Sequence, residues 1–288
     1  MEQEERIASA QALMKSCRLC PRECGVDRYG GEKGFCKMGS VPFVASHGPH
    51  FGEEPPLVGT GGSGTIFLSG CNLGCLFCQN ADISHGREGV RMGVRELVKV
   101  MLALQDSGCH NINFVTPTHF MPPLLEAVLA ARDAGLTVPI VWNCGGYETL
   151  EAIQVLDGIV DIYMPDIKYA SENVAIELST ATGYWTAVKD AVKEMHYQVG
   201  DLEIDDNGVA TRGLLVRHLV MPNGLAGTRQ VSRFLAKEVS PNTYTNIMDQ
   251  YRPCYNASTH PKINRATTSA EYDEAVQIAR DEGLWRGF

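Results

Sequence analysis

The stretch TIFLSGCNLGCLFC, residues 65–78, decides the predicted fold, because a strand-like apolar run leads directly into three closely spaced cysteines. Cys71, Cys75 and Cys78 follow the pattern C-x3-C-x2-C on one predicted loop. Three thiolates arranged in this way can hold three corners of an iron–sulfur cube, which usually takes four cysteines. One iron would then stay open, and an open metal position is where chemistry occurs. The spacing alone establishes a three-thiolate metal loop.

Strand-like and helix-like segments alternate six times from residue 65 onward. The predicted strands cover residues 65–69, 111–116, 138–142, 159–164, 213–220 and 244–248, and the predicted helices cover residues 94–105, 124–134, 148–156, 174–198, 230–239 and 270–282. Apolar strands flanked by helices indicate an α/β fold with a parallel sheet buried on both faces, either doubly wound or a partial barrel. Functional residues of such folds gather at the carboxyl ends of the strands.

Composition limits the classes of protein that this chain can belong to. The 288 residues are 44% hydrophobic and 20% charged, with a formal net charge of −9, which is ordinary for a globular protein of one or two domains. The negative charge argues against broad nucleic-acid binding. The acidic N-terminus does not resemble a signal peptide, and no uncharged apolar stretch is long enough to span a membrane. We therefore expect a cytoplasmic protein whose clustered cysteines bind metal rather than form disulfides.

The first 64 residues are predicted to form a separate N-terminal extension, rich in cysteine and glycine, before an α/β unit at residues 65–288. Cys17, Cys20, Cys24 and Cys36 lie within 20 residues, with proline and glycine between them, a pattern typical of a metal knuckle. Four thiolates suit zinc or a second iron–sulfur cluster. Zinc would make the knuckle structural, whereas a cluster could relay electrons.

Three further patterns carry polar residues near predicted strand ends. Residues 59–64 match G-x-G-x-x-G, but they precede a strand, so a glycine turn is favoured over a dinucleotide site. Asn143 begins a glycine-containing turn that could present polar groups to a ligand. Asp166 and Lys168 are two residues apart and share one face of a strand, either as ligand-binding groups or as a surface ion pair.

The stretch from Phe67 to Ser84 resembles the pyruvate formate-lyase activating enzyme-like branch of the radical S-adenosylmethionine (SAM) superfamily. The similarity includes the aromatic Phe77 before the last cysteine, extends over most of the chain, and covers the four N-terminal cysteines. It implies a partial (β/α)6 barrel of the radical SAM type and a [4Fe–4S] cluster whose open iron binds SAM. It also implies reductive cleavage of SAM to a 5′-deoxyadenosyl radical that abstracts hydrogen from a substrate.

The resemblance also implies which residues hold SAM and which partners are needed. The positions that match those holding the ribose and carboxylate of SAM in activating enzymes are Asn143, Met164, Asp166, Lys168 and Arg217. An arginine suits a carboxylate because its fork donates two hydrogen bonds. We expect a flavodoxin or ferredoxin-like electron donor, and as substrate either a small molecule or a glycine of a partner protein. No nucleic acid or membrane partner is expected.

The chain departs from the family pattern in three places. Where many relatives carry Gly-Gly-Glu after the second strand, this chain has VTPTH at residues 115–119, so the backbone at Thr116 would have to bind the amino group of SAM. Asn143 stands where activating enzymes often have an acidic residue. The ferredoxin-like insert of several glycyl-radical activators is absent after Cys78, which argues against an activase role.

Two alternatives remain open from the residues alone. His119 and His218 lie near predicted strand ends and either move protons or serve as structural side chains. The whole chain is either a SAM-cleaving enzyme or a metal-stabilised binding or electron-transfer protein that never cleaves SAM.

Overall fold

Six parallel strands form the centre of the fold, which is described over residues 2–288 of a computed structural model. Their spatial order is β2, β4, β5, β6, β8, β9, so each strand pairs with the next parallel one along the chain. The nine strands are β1 (Phe43–His50), β2 (Ser63–Leu68), β3 (Val90–Arg91), β4 (Ile112–Val115), β5 (Ile140–Cys144), β6 (Ile162–Pro165), β7 (Glu203–Ile204), β8 (Ala210–Leu219) and β9 (Tyr244–Met248). The predicted α/β partial barrel is confirmed.

Helices follow the parallel strands and cover their outer face. The ten α-helices are α1 (Gln3–Lys15), α2 (Pro55–Val58), α3 (Ala81–Ser84), α4 (Val94–Asp106), α5 (Met121–Asp133), α6 (Leu150–Val155), α7 (Glu172–Ser179), α8 (Tyr184–Val199), α9 (Thr228–Phe234) and α10 (Ser269–Glu282). A π-helical turn, Leu235–Val239, extends α9. Among residues 2–288, no helix is both long enough and apolar enough to cross a membrane.

The first 64 residues contribute to the same sheet and core as the rest of the chain. Strand β1 pairs antiparallel with β2, and its other edge pairs with β3. Helix α1 packs against α5 and α6 and buries Leu13 and Met14 in the main core. The segment predicted to be an extension therefore covers one edge of the barrel and supplies an additional helix to its outer layer.

The predicted helix over residues 174–198 is two helices with a sharp break between them. Thr180 and Gly183 both adopt left-handed backbone conformations, which end α7 and begin α8. The break places the end of α7 against the cysteine loop, where the amides of Gly74 and Leu76 donate to the carbonyls of Ser179 and Leu178. Helical periodicity alone did not reveal this break, because apolar residues recur at similar spacing on both sides of it.

A small apolar cluster closes the interior of the barrel below the carboxyl ends of its strands. Leu57 of the short helix α2 packs there with Val141, Ile162 and Leu215, and all four are fully buried. Polar side chains, among them Asn143, Asp166 and Arg217, lie at the carboxyl ends of the strands.

Candidate functional site

The cysteine loop begins where β2 ends. Gly70 precedes Cys71 with a φ of 79°, in the left-handed region that glycine adopts readily. A Cβ built on Gly70 would lie 2.6 Å from Met38 Cγ, so the N-terminal segment packs closely against the start of the loop. Position 70 therefore needs a residue without a side chain, both for backbone conformation and for space.

Each sulfur atom of the loop has a hydrogen-bonding neighbour. The amide of Leu73 donates to Cys71 Sγ at 3.3 Å, and Ser179 Oγ donates to Cys75 Sγ at 2.9 Å. Cys78 Sγ lies 3.1 Å from Ser84 Oγ. Donors directed at sulfur are the interactions that tune the potential of an iron–sulfur cluster.

Burial raises the pKa of both the Cys71 and the Cys75 thiols. A buried thiol ionises readily only when a cation is beside it, and a bound metal supplies that charge. The three cysteines therefore fit an iron–sulfur cluster in number, in placement on one loop and in the donors that surround their sulfur atoms.

The three cysteines line a cavity of about 220 Å³ at the carboxyl ends of the parallel strands. Four of the five predicted SAM-binding residues line the same cavity, namely Asn143, Asp166, Lys168 and Arg217. These side chains come from three strands that lie side by side, β5, β6 and β8, and from the residues that follow them. The parallel barrel brings together residues separated by more than 70 positions in sequence.

An ionic network joins these four side chains. Asp166 accepts from both Lys168 Nζ at 2.6 Å and Arg217 Nε at 2.7 Å. Arg217 Nη2 also donates to Asn143 Oδ1 at 2.8 Å. Burial alone would raise the pKa of Asp166, but the two cations hold it below its usual value. Asp166 therefore orients both cations towards the cavity.

Two glutamates that sequence reasoning missed complete this network. Glu53 Oε2 and Glu54 Oε2 lie 3.5 Å and 3.9 Å from Arg217 Nη1, and Asn246 Nδ2 donates to Glu54 Oε1 at 3.0 Å. Burial raises the pKa of Glu53 to about 7, although the charge of Arg217 opposes that shift. The guanidinium of Arg217 is therefore largely occupied by protein partners. No sequence motif marked the glutamates, because they precede α2 in a loop far from Arg217 in the chain.

Met164 is the predicted SAM-binding residue that does not line the cavity. It shares a strand face with Asp166, but its side chain is fully buried in the apolar cluster with Val141, Ile162 and Leu215. In this structure it packs beneath the ionic network.

The segment after β4 departs from the family pattern and is also conformationally unusual. Thr116 lines the cavity with a φ of 60°, a left-handed conformation that is rare for a β-branched residue. Its amide donates to the carbonyl of Asn143 at 2.8 Å. Strained backbone of this kind concentrates at functional sites. The placement fits the expectation that backbone at Thr116 faces the ligand.

Both candidate proton-transfer histidines are structural in this fold. His119 Nε2 is 2.8 Å from the carbonyl of Ser69, and His218 contacts the carbonyl of Ile167 and the hydroxyl of Thr228. Burial lowers the pKa of His119 to about 3 and that of His218 to about 4. Neither side chain lines the main cavity, so the structural alternative applies to both.

The four N-terminal cysteines line one small cavity of about 10 Å³. The amide of Phe35 donates to Cys24 Sγ at 3.4 Å. Asn72 lines the same cavity and directly follows Cys71, so the two cysteine sets are neighbours. In the part of the chain that the structure describes, no three His, Cys, Asp or Glu side chains are close enough to bind one metal ion. The sulfur atoms of the four N-terminal cysteines would therefore have to move closer together to bind a single zinc ion.

Arg28 is a buried cation beside the four N-terminal cysteines. It is 1% exposed and donates to the carbonyls of His119 and Gly39. Its Nε has no hydrogen-bond partner, and no carboxylate pairs with it among residues 2–288. A buried cation without a counter-charge is costly. An anionic four-thiolate centre would supply the missing charge.

A buried Cys144–Glu148 pair was also missed by sequence reasoning. Cys144 lines the main cavity, and Glu148 accepts from Thr118 Oγ1 at 2.5 Å. Burial raises the pKa of Glu148 to about 7. The glycine-containing turn that begins at Asn143 is visible in the sequence, but nothing in its pattern indicates that Glu148 is buried.

Comparison with known proteins identifies the family. Residues 65–198 match the model of the radical SAM superfamily. The chain is 33% identical over 289 residues to the uncharacterized protein MJ0674 of Methanocaldococcus jannaschii, which covers 97% of this chain and 78% of that protein. The fold of the present chain is similar to that of the FeFe-hydrogenase maturase HydG from Carboxydothermus hydrogenoformans. The TM-score is 0.51 at 17% identity, and the match covers 76% of this chain and 51% of HydG.

A second solved structure with the same fold carries the cosubstrate. Streptococcus suis SuiB bound to S-adenosylmethionine has a TM-score of 0.50 and 11% identity, and the match covers 74% of this chain and 45% of SuiB. The chain thus spans about half the length of these solved structures. From the family match, the parallel partial barrel and the three-cysteine loop at its carboxyl edge, we conclude that this chain belongs to the radical SAM superfamily.

Proposed function

We propose that this chain is an enzyme in which Cys71, Cys75 and Cys78 hold a [4Fe–4S] cluster and the adjoining cavity binds SAM. With both groups bound, one electron from the cluster cleaves SAM to methionine and a 5′-deoxyadenosyl radical, which abstracts a hydrogen atom from a substrate. The observation that carries the proposal is that three hydrogen-bonded sulfur atoms and the ionic network of Asp166, Lys168 and Arg217 line one cavity. The protein contributes positioning and exclusion of water, whereas the cofactor supplies the radical chemistry.

Lys168 is the residue best placed to bind the carboxylate of SAM. Its ammonium has three N–H donors and uses one on Asp166, so two stay free for a ligand. Arg217, the arginine expected to hold SAM, already donates to Asp166 and Asn143. We therefore assign Arg217 to positioning Asp166 and Asn143, and Lys168 to direct contact with SAM.

The activating-enzyme-like branch is part of the proposal, supported by the resemblance of residues 67–84. The substrate would enter at the mouth of the cavity, near Gln79 and Gln250, and is either a small molecule or a glycine of a partner protein. Deuterium carried from a labelled candidate substrate into 5′-deoxyadenosine identifies the molecule that donates the hydrogen atom.

An anoxic assay for 5′-deoxyadenosine tests the central proposal. Cys75→Ala removes one cluster ligand and should abolish both iron binding at this loop and nucleoside formation. Cys109→Ala is the matched control, because Cys109 is also buried but lies outside the cavity. Formation of 5′-deoxyadenosine by the Cys75→Ala protein at the wild-type rate would overturn the proposal.

The four N-terminal cysteines are proposed to form a second metal centre, either zinc or iron–sulfur. Support comes from the shared cavity and from the unpaired charge of Arg28, which both anionic centres would balance. Metal analysis after anoxic purification distinguishes them, since zinc makes the centre structural and additional iron makes it redox-active. An unchanged metal content in a Cys20→Ala variant would refute the proposed second metal centre.

The second candidate function is electron transfer without SAM cleavage. It is favoured by the presence of two neighbouring cysteine sets and by the substituted segment after β4. Anoxic calorimetry with SAM separates the two functions, because an electron-transfer protein would show no SAM binding at millimolar concentration.

A further inference from the structure

A basic pocket lies on the surface of the N-terminal segment, away from the main cavity. It has a volume of about 540 Å³ and is lined by the exposed cations Lys33, Lys37, Arg87 and Arg91. The first two belong to the loop that carries the N-terminal cysteines, and the other two lie at and before β3. Four exposed cations from two separate segments thus converge on one concave surface.

The charge of this pocket is unbalanced. No acidic side chain lines it, and none of its four exposed cations forms a salt bridge within residues 2–288. Glu32 and Glu88 are sequence neighbours of these cations but do not line the pocket. The chain as a whole has a formal net charge of −9, so this patch opposes the overall charge. A concentrated positive surface on an acidic protein attracts an anionic partner and accelerates its association.

Apolar side chains in the pocket favour a protein as the partner. Tyr29 and Val41 are 48% and 44% exposed, and Met38 and Phe43 form part of the lining. Exposed aromatic and aliphatic groups surrounded by cations are typical of a protein interface with an apolar centre and a charged rim. A phosphate-binding surface for nucleic acid would not require them, and the overall charge of the chain repels that partner.

The pocket lies close to both cysteine sets. Met38, in its lining, packs against Gly70, the residue before Cys71. The carbonyl of Phe43 accepts from the amide of Ser69, two residues before Cys71. Arg28 lines both this pocket and the cavity of the four N-terminal cysteines. A partner seated in the pocket would therefore contact residues that adjoin both cysteine sets.

We propose that the basic pocket is the docking surface for an acidic protein that carries single electrons. This inference rests on the proposed function, because the electron is the one needed to cleave SAM. The reduced carrier gives up one electron and leaves oxidised, and the protein-bound cluster is reduced by that electron. No bond in the carrier forms or breaks.

Charge reversal tests the docking surface, with an acidic flavodoxin as the probe. Lys33→Glu/Arg91→Glu reverses two pocket charges and leaves Lys37 intact, because Lys37 adjoins Cys36. Lys99→Glu/Lys237→Glu makes the same change in total charge at two exposed positions outside the pocket. Calorimetry with the metal-loaded proteins should show a dissociation constant raised about tenfold or more by the pocket variant, and by less than about twofold by the control. The wild-type affinity should also weaken steeply with added salt.

A second measurement distinguishes failure of docking from failure of the enzyme. The rate of 5′-deoxyadenosine formation is measured with reduced flavodoxin and, separately, with dithionite, a small reductant that needs no docking surface. The pocket variant should be slow with flavodoxin and normal with dithionite. If wild-type protein fails with dithionite, the proposed function is wrong, while the binding measurement still tests the pocket.

Three outcomes would overturn the docking proposal. Equal flavodoxin affinity in the pocket variant and the control would show that the pocket is not the interface. Binding of a short DNA duplex that competes with flavodoxin and is lost in the pocket variant would assign the surface to nucleic acid. A normal flavodoxin-driven rate in a variant with impaired binding would show that the surface does not deliver the electron.

Discussion

Asp166 bridges two cations, Lys168 and Arg217, at the edge of the cavity, with 17% of each of the three side chains exposed. Neither cation has another carboxylate closer than 3.5 Å. Asp166 is therefore the one carboxylate that contacts both cations directly, while Glu53 and Glu54 are more distant partners of Arg217 alone. Removing one member of such a network leaves partly desolvated charges without a partner, which costs more than the interaction itself contributes.

Asp166→Asn should accordingly destabilise the protein by about 2 kcal/mol and weaken SAM binding. Part of the hydrogen bonding survives, because the amide oxygen can still accept from Arg217. Chemical denaturation and anoxic SAM calorimetry measure the two effects. Glu238→Gln is the control, since Glu238 pairs with Lys193 at a surface where both side chains are nearly half exposed, and its loss should cost less than about 1 kcal/mol. Equal losses of stability in Asp166→Asn and Glu238→Gln would show that the ionic network around Asp166 does not cause the destabilisation.

Glu148 should make stability fall as the pH rises. Burial raises its pKa from 4.5 to about 7, so between these values the folded protein binds more protons than the unfolded chain. Stability then decreases with rising pH across that interval and levels off above it. The total change is about 3 kcal/mol, since one pKa unit corresponds to about 1.4 kcal/mol.

Glu148→Gln should flatten this dependence and raise the melting temperature at pH 8 relative to the wild type. Its amide oxygen can still accept from Thr118, so the local hydrogen bond is retained. Glu151→Gln, at an exposed carboxylate on α6, should leave the pH dependence unchanged. Thermal unfolding of both variants between pH 5 and pH 8 provides the measurement. If the stability of Glu148→Gln varied with pH as strongly as that of the wild type, Glu148 would not be the source of the pH dependence.

At the scale of a single element, the loop that carries Cys24 and Cys36 is built around Gly34. A Cβ at this position would lie 2.7 Å from Cys24 Sγ, closer than side-chain atoms pack. Gly39, in the same loop, has no atom within 4 Å of a built Cβ. The two glycines therefore differ in whether a methyl group would displace a cysteine.

Gly34→Ala should lower the metal content of the N-terminal centre, whereas Gly39→Ala should not. The three-cysteine loop is untouched by either change, so its iron serves as an internal reference. Metal analysis of anoxically purified protein measures the ratio of metal in the N-terminal centre to iron at the three-cysteine loop. Full metal occupancy in Gly34→Ala would mean that Cys24 is not a ligand or that the loop adjusts freely.

Across the whole molecule, the two cysteine sets lie where separate parts of the fold meet. The two cysteine sets connect the N-terminal segment, the β2 loop and the end of α7, since Ser179 donates to Cys75 and Asn72 lines the N-terminal cavity. A group that binds only the folded protein stabilises all of these contacts together.

Removal of iron by anoxic chelation should therefore lower the melting temperature by at least about 5 °C. Thermal unfolding of the loaded and stripped proteins provides the measurement. In the Cys75→Ala variant the difference should shrink, because one centre is already lost. Identical melting temperatures of loaded and stripped wild-type protein would show that the metal sites do not contribute to stability.

The sequence by itself determined the elements whose signals are local. The alternation of apolar strands and helices predicted the parallel sheet, the predicted strand at residues 244–248 coincides with β9, and the C-x3-C-x2-C loop after β2 lies at the cavity. These features follow from periodicity and spacing within short windows, which a single sequence contains.

Only the tertiary structure decided which distant residues meet. Glu53 approaches Arg217 across more than 160 residues, β1 pairs with β2, and neither His119 nor His218 lines the main cavity. The break between α7 and α8 likewise depends on contacts with the cysteine loop. Such arrangements arise when the barrel brings strand ends together, because burial and charge pairing are fixed by neighbours in space rather than by neighbours in the chain.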